Sequence, residues 1–315
     1  MKITVLDAAT LGSDVSFEKW EALGELKVYD TTAVDEVINR LSGSDVAILN
    51  KVKITAEVVS ALPELKLICV TATGYDNIDL SACKEKGVAV CNVKGYSTHS
   101  VAQVTITLAL ALMTHLGEYS SCVKSGDYTK SGIQNRLSPV FHELYGKTFG
   151  IIGLGNIGKQ VARVAEAFGC KVLCFKRTPD PDFNCVDLET LLKQSDIVTL
   201  HLPLSNETKH IIGEKELSLM KSSAILINAA RGAVTDEAAV AYAIESGIIG
   251  GFATDVYSVE PMEENSPLQK IKDLENVILT PHMAWGAYES RVRCIEEIAE
   301  NIASFLKGEQ RNRII

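Results

Sequence analysis

The chain has 315 residues, long for a single hydrophobic core, so two domains are expected. Hydrophobic residues make up 46% and charged residues 23%, which excludes a disordered or fibrous chain and fits an ordinary globular one. A net charge of −9 argues against nucleic acid or an anionic membrane surface as the main partner, and leaves room for a small anion captured by local charge.

At the amino end, Met1-Lys2-Ile3-Thr4-Val5-Leu6-Asp7 reads as a strand rather than a cleavable leader, with 3–7 as its β-rich part. Further β-rich runs follow at 27–30, 46–50, 67–71 and 88–92, separated by helical patterns. A long helix is predicted over 100–119, then a polar loop through Gly126, Gly132 and Pro139. The apolar stretch inside that helix is interrupted by Gln103, Thr105 and Thr107, so it is too short and too polar to span a bilayer. A second set of strands is predicted at 149–152, 171–175, 197–202, 224–228, 251–255 and 277–280. Alternation of this kind implies an α/β fold of two doubly wound parallel sheets, with a first domain boundary near His99. The chain closes on an amphipathic helix. Ile295, Ile298, Ala299, Ile302, Phe305 and Leu306 share one face, while Glu296, Glu297, Glu300 and Asn301 lie opposite.

The sharpest local signal lies between the first two strands of the second set. After Phe149-Gly150-Ile151-Ile152 comes Gly153-Leu154-Gly155-Asn156-Ile157-Gly158, and a helical stretch begins at once. The first glycine permits a tight turn, the second lets backbone approach a pyrophosphate, and the third lets helix pack on strand. The free N–H groups and positive dipole end of the helix then face the anion. In this strand–turn–helix setting the motif points to a dinucleotide coenzyme.

Eight cysteines are present, none in a Cys-x-x-Cys pair and none with His at zinc-binding spacing, so no metal is expected and a reducing cytoplasm is the simple reading.

In an open α/β sheet, ligands bind beyond the carboxyl ends of the strands. Arg231 follows the run 224–228, Asp255 ends 251–255 with Glu260 in the loop after it, and His282 follows 277–280. The four should share an edge with the glycine turn. An arginine offers a two-pronged donor for a carboxylate. A histidine exchanges protons near neutral pH, and a nearby glutamate would favour imidazolium and fix the ring. Singly, each has an equally good bland explanation; together beside a phosphate turn they point to chemistry. His201, ending the run 197–202, either lines a coenzyme cleft or is structural. His99, His115, His142 and His210 have no comparable setting.

These residues resemble the D-isomer-specific 2-hydroxyacid dehydrogenases over essentially the whole chain. The matching segments are Gly153–Gly158, Asn228-Ala229-Ala230-Arg231-Gly232, Asp255-Val256-Tyr257-Ser258-Val259-Glu260-Pro261 and Thr280-Pro281-His282. The resemblance implies a Rossmann coenzyme domain (99–286) inserted in a flavodoxin-like substrate domain (1–98 and 287–315), around a cleft, with homodimers usual. It implies that Arg231 binds the 2-oxo acid, His282 is the acid/base and Glu260 its partner. Coenzyme contacts would come from Gly153, Gly155, Asn156, Ile157, Gly158, Lys176, Arg177, His201, Pro203, Ala229, Ala230 and Asp255, the last holding the nicotinamide carboxamide. Substrate contacts would come from Lys51 and from the loop Ala72-Thr73-Gly74-Tyr75, where Thr73 and Gly74 N–H groups meet the carboxylate, besides Arg231. Thr71–Tyr75, Tyr96-Ser97-Thr98 and Pro281-His282-Met283-Ala284-Trp285 are most like the glycerate dehydrogenase (hydroxypyruvate reductase) branch.

Two departures stand out. Lys94 occupies a position where many members have proline. At the end of the second coenzyme-domain strand, Lys176-Arg177 stands where NAD-specific members carry an acid for the ribose hydroxyls. A cation pair suits a 2′-phosphate, placing NADP(H) slightly ahead of NAD(H). A phosphoglycerate or other D-2-hydroxyacid dehydrogenase, and a non-catalytic NAD(H)-responsive protein like the corepressors of this family, are the competing readings. Formate dehydrogenases usually carry glutamine at the Glu260 position.

Overall fold

The computed structural model describes residues 1–315. The first run of strands forms because short apolar, β-branched segments recur between polar turns: β1 (Lys2–Val5), β2 (Glu25–Val28), β3 (Val46–Leu49), β4 (Leu67–Val70) and β5 (Ala89–Cys91). They pair in parallel in the order β2-β1-β3-β4-β5. Every residue of β3, β4 and β5 is buried, as in sheets covered on both faces. β2 lies at the edge and keeps Glu25, Lys27 and Val28 exposed, charges that discourage further pairing there. It starts two residues before the expected 27 because its register is set by β1, Lys2 opposite Glu25 through Val5 opposite Val28.

The second run gives β6 (Thr148–Ile152), β7 (Lys171–Phe175), β8 (Ile197–Leu200), β9 (Ile225–Asn228), β10 (Gly251–Thr254) and β11 (Val277–Leu279), also wholly parallel, in the order β11-β10-β9-β8-β6-β7. The chain divides into two compact units, Met1–Ser97 with Gly286–Ile315, and Thr98–Trp285.

In the Thr98–Trp285 unit, one face of the sheet is covered by the helices Thr98–Thr114 and Asn156–Ala167. Val161, Ala162 and Ala165 are fully buried there, and burying a side chain the size of valine contributes about 1.5–3 kcal/mol. The helix expected over 100–119 is in fact two. It stops at Thr114, His115 turns left-handed at φ 50°, and Leu116–Lys124 continues at a bend of 64°. The loop expected next contains a short helix, Asp127–Ser131. No single helix is long and apolar enough to cross a membrane.

In the other unit, the helix Tyr288–Leu306 packs on β4 and buries Cys294, Ile295, Ile298 and Ile302. Trp20 Nε1 donates to Ile295 O at 2.9 Å, tying the amino-terminal segment to this helix. The expected apolar face needs correction. Leu306 is exposed, and Asn301 is buried because its amide donates to Asn92 O at 3.0 Å while its Oδ1 accepts from Asn312 at 3.0 Å. Satisfied hydrogen bonds let a polar residue occupy the buried stripe.

Candidate active site

Because β6 to β11 all run parallel, the segments leaving them emerge on one edge of the sheet. The glycine turn follows β6, Arg231 follows β9, Asp255 and Glu260 follow β10, and His282 follows β11.

Thr280 and Pro281 follow β11, and His282 adopts φ 52°, a left-handed conformation uncommon outside glycine and found where surroundings over-determine it. Those surroundings are Asp255. Its carboxylate is 1% exposed and accepts from Thr280 Oγ1 at 2.7 Å, Met283 N at 2.8 Å and Ala284 N at 2.8 Å. The turn carrying the imidazole is thus stitched to the end of β10. Three donors leave one acceptor position on Asp255 Oδ2.

Held this way, His282 Nδ1 lies 2.6 Å from Glu260 Oε2, with both side chains only a quarter to a third exposed, at 25% and 29%. Glu260 Oε1 accepts from Tyr257 N at 3.2 Å. The Tyr257 hydroxyl donates to Thr280 O at 2.9 Å. Burial, reinforced by Asp255, Glu260 and Glu237, pushes this phenol up to about 12, so it remains a donor. A carboxylate on Nδ1 leaves Nε2 to exchange a proton with a bound molecule.

Arg231 sits in a loop braced by Asn228, which is fully buried. The Asn228 amide donates to Arg231 O at 3.0 Å, and its Oδ1 accepts from Ala230 N at 3.1 Å. The guanidinium is half-buried and donates to Ala230 O at 2.8 Å. Gly232 lets this loop touch the one carrying Glu260, since a Cβ there would stand 1.9 Å from Tyr257 C. Ala229 and Ala230 line the same half-buried loop.

At the glycine turn, Gly153 has φ 97° and a Cβ would meet His201 O at 2.6 Å. A Cβ on Gly158 would stand 2.1 Å from Gly153 O, whereas one on Gly155 would meet nothing within 4 Å. Two glycines therefore close the turn, and the third keeps open space beside the amino end of the 12-residue Asn156–Ala167 helix, where Asn156 and Ile157 form the first turn. That open cradle fits a dinucleotide pyrophosphate. Gly153 N donates to Phe175 O at 2.9 Å, which puts Lys176 and Arg177 directly beside the turn. Neither cation stands alone: Arg177 pairs with Glu207 at 3.0 Å, and Lys176 lies 3.9 Å from Asp180, which also holds Lys159 at 2.7 Å.

His201 ends β8 with its N–H on Ile152 O at 2.8 Å. Both ring nitrogens are buried without a partner, and burial lowers its pKa to about 3, so it is neutral. Pro203 O accepts from Thr208 Oγ1 at 2.6 Å, shaping the loop that bears Glu207.

The remaining assigned residues belong to the other unit. The Lys51 N–H donates to Asp7 Oδ2 at 2.7 Å, one of three successive backbone donors (Asn50, Lys51, Val52) on that carboxylate. Thr73 gives its hydroxyl to Val93 O at 2.8 Å, and its carbonyl accepts from Asn92 at 2.7 Å. Recognition at Thr73 and Gly74 would fall to the backbone N–H groups.

Sequence reasoning did not single out Asn228, Tyr257 or Thr280 as supports of the site. Each flanks a motif residue, and only the hydrogen bonds across loops distinguish it from an ordinary strand-end polar group.

Residues 106–284 match the family model of the D-isomer specific 2-hydroxyacid dehydrogenase NAD binding domain. A glycerate dehydrogenase of Methylorubrum extorquens is 39% identical over 99% of this chain and 98% of its own length. A hydroxypyruvate reductase of Blautia hydrogenotrophica is 37% identical over 98% of each chain. Among solved structures, an acyclic imino acid reductase in complex with NADPH and D-Arg superposes with a TM-score of 0.87 at 33% identity, covering 100% of both chains. With this match, the parallel two-sheet fold and the strand-edge geometry together, the chain belongs to the D-isomer-specific 2-hydroxyacid dehydrogenases, NAD(P)-dependent oxidoreductases acting on a CH–OH group.

Proposed function

We propose that this enzyme reduces a small 2-oxo acid of the hydroxypyruvate or glyoxylate type to the D-2-hydroxy acid, with His282 as the acid/base. The observation that carries this reading is the 2.6 Å His282–Glu260 pair on the sheet edge shared with the glycine turn. Glu260 meets Nδ1 and orients the ring; His282 Nε2 gives its proton to the C2 oxygen as the carbonyl is reduced. Arg231 turns from Ala230 O to the substrate carboxylate, a planar donor on a planar acceptor. Lys51, Thr73 and Gly74 are assigned to the substrate on resemblance. When bound, the nicotinamide supplies the hydride. Gly153, Gly155, Asn156, Ile157 and Gly158 receive its pyrophosphate, the remaining Asp255 lone pair takes its carboxamide, and Ala229, Ala230, His201 and Pro203 flank it. Lys176 and Arg177 favour NADP(H) over NAD(H).

Relatives named glycerate dehydrogenase and hydroxypyruvate reductase support the substrate class. Oxidation of NADPH and NADH, followed against hydroxypyruvate, glyoxylate, pyruvate and a bulky 2-oxo acid, tests both choices. Preference for the bulky acid would overturn the small-substrate reading, and turnover of none would favour a coenzyme-responsive binding protein.

Two further parts of the proposal concern assembly and place. Leu116, Ile133, Leu137, Val140 and Tyr145 are 62–77% exposed along one segment of the second unit, a concentration of apolar surface that supports a homodimer. Sedimentation of Leu137→Asp should give a monomer; an unchanged mass would remove this face from the interface. Eight free cysteines support a reducing, cytoplasmic setting.

A further inference from the structure

β7 and β8 flank β6 in the sheet, so the loops that follow them stand on either side of the glycine turn. An ion pair spans that gap. Arg177, just after β7, reaches Glu207, in the loop after β8, at 3.0 Å, with side chains 87% and 75% exposed. The neighbouring pair differs. Asp180 is 11% exposed and accepts from Lys159 at 2.7 Å and from Asp182 N at 3.3 Å, with Lys176 3.9 Å away. The Lys159 hydrogen bond holds the Asp180 carboxyl below the usual range. Three cations thus face two carboxylates, one tightly held and one hanging on a single exposed contact.

We propose that Glu207 is a specificity-determining residue: it occupies Arg177 in place of the coenzyme 2′-phosphate and so weakens the preference for NADP(H), while Asp180 is a fixed counter-ion that positions Lys176 and Lys159. The inference rests on the NADP(H) reading above. An exposed ion pair is weak and exchanges readily, whereas a phosphate bearing up to two charges is the better partner for a guanidinium. The phosphate therefore displaces Glu207 from Arg177, and the free carboxylate left nearby opposes it.

The experiment is calorimetric titration of the full-length enzyme with adenosine 2′,5′-bisphosphate and with ADP, so turnover is not the readout. Glu207→Gln should tighten the bisphosphate by about threefold to fivefold, the scale of an exposed ion pair, and leave ADP unchanged. Arg177→Ala should weaken the bisphosphate about tenfold, as for a lost charge-assisted hydrogen bond, and should abolish the Glu207→Gln gain in the double variant. If wild type prefers the bisphosphate but Glu207→Gln leaves it unchanged, or shifts both ligands alike, the role of Glu207 is overturned and the NADP(H) reading survives. If wild type prefers ADP and Arg177→Ala has no effect on the bisphosphate, both fail.

Discussion

Two histidines close strands of the same sheet, and they could hardly be more different. At the end of β11, His282 is a quarter exposed, left-handed in backbone and 2.6 Å from a carboxylate. At the end of β8, His201 has both ring nitrogens buried and unpartnered. Similar positions in the strand grammar thus yield an imidazole met by a carboxylate and one that burial keeps neutral. The difference lies in what the neighbouring loops supply. Asp255 spends three acceptor contacts on the His282 turn, and Glu260 meets the ring, while nothing meets the ring of His201.

The strongest way to break this contrast is at His282 itself. Replacing it by alanine should cut turnover by about 10²–10⁴-fold in a steady-state assay with hydroxypyruvate, the range for a lost general acid. Near-normal turnover would remove it from the mechanism. Glu260→Gln keeps the shape but not the charge, and should lower kcat about tenfold in the same assay, the scale of a lost charge-assisted hydrogen bond. An unchanged kcat would reduce Glu260 to a structural neighbour.

At His201 the expected effect is on stability rather than turnover. Its pKa falls from 6.5 to about 3 on folding, so between those values the unfolded chain binds the extra proton. Stability should therefore decrease as pH falls from about 6.5, by at most about 1.4 kcal/mol per pH unit from this group. Urea melts of His201→Phe should show a shallower slope; an identical slope would mean the ring is charged or exposed in the fold. The smallest effect is expected for Tyr257→Phe, which deletes the hydrogen bond to Thr280 O and should cost about 1 kcal/mol of stability, read from the same melts.

Much of the fold was legible because its signals are local. β3 (Val46–Leu49) and β4 (Leu67–Val70) are continuous apolar runs of strand length, and Gly153 and Gly158 have contacts that leave no room for a side chain. His115, by contrast, broke a helix that apolar periodicity carried through to 119, because a single left-handed residue leaves no mark on periodicity. Asn301 was read as solvent-facing from its polarity, yet Asn92, distant in sequence, and Asn312, beyond the helix end, satisfy it in the core.

For this chain, residue order alone pointed to the alternation of strands and helices, to the glycine turn and to Arg231, Glu260 and His282 as candidates. Those follow from side-chain period and from steric demands within a few residues. Tertiary structure decided which polar groups are consumed and which stay available, Asp255 tied into the turn beside His282, Glu207 lying against Arg177, His201 with both ring nitrogens buried and unpartnered. Hydrogen bonding and desolvation depend on the atoms that distant segments bring within a few ångströms, and no local pattern encodes them.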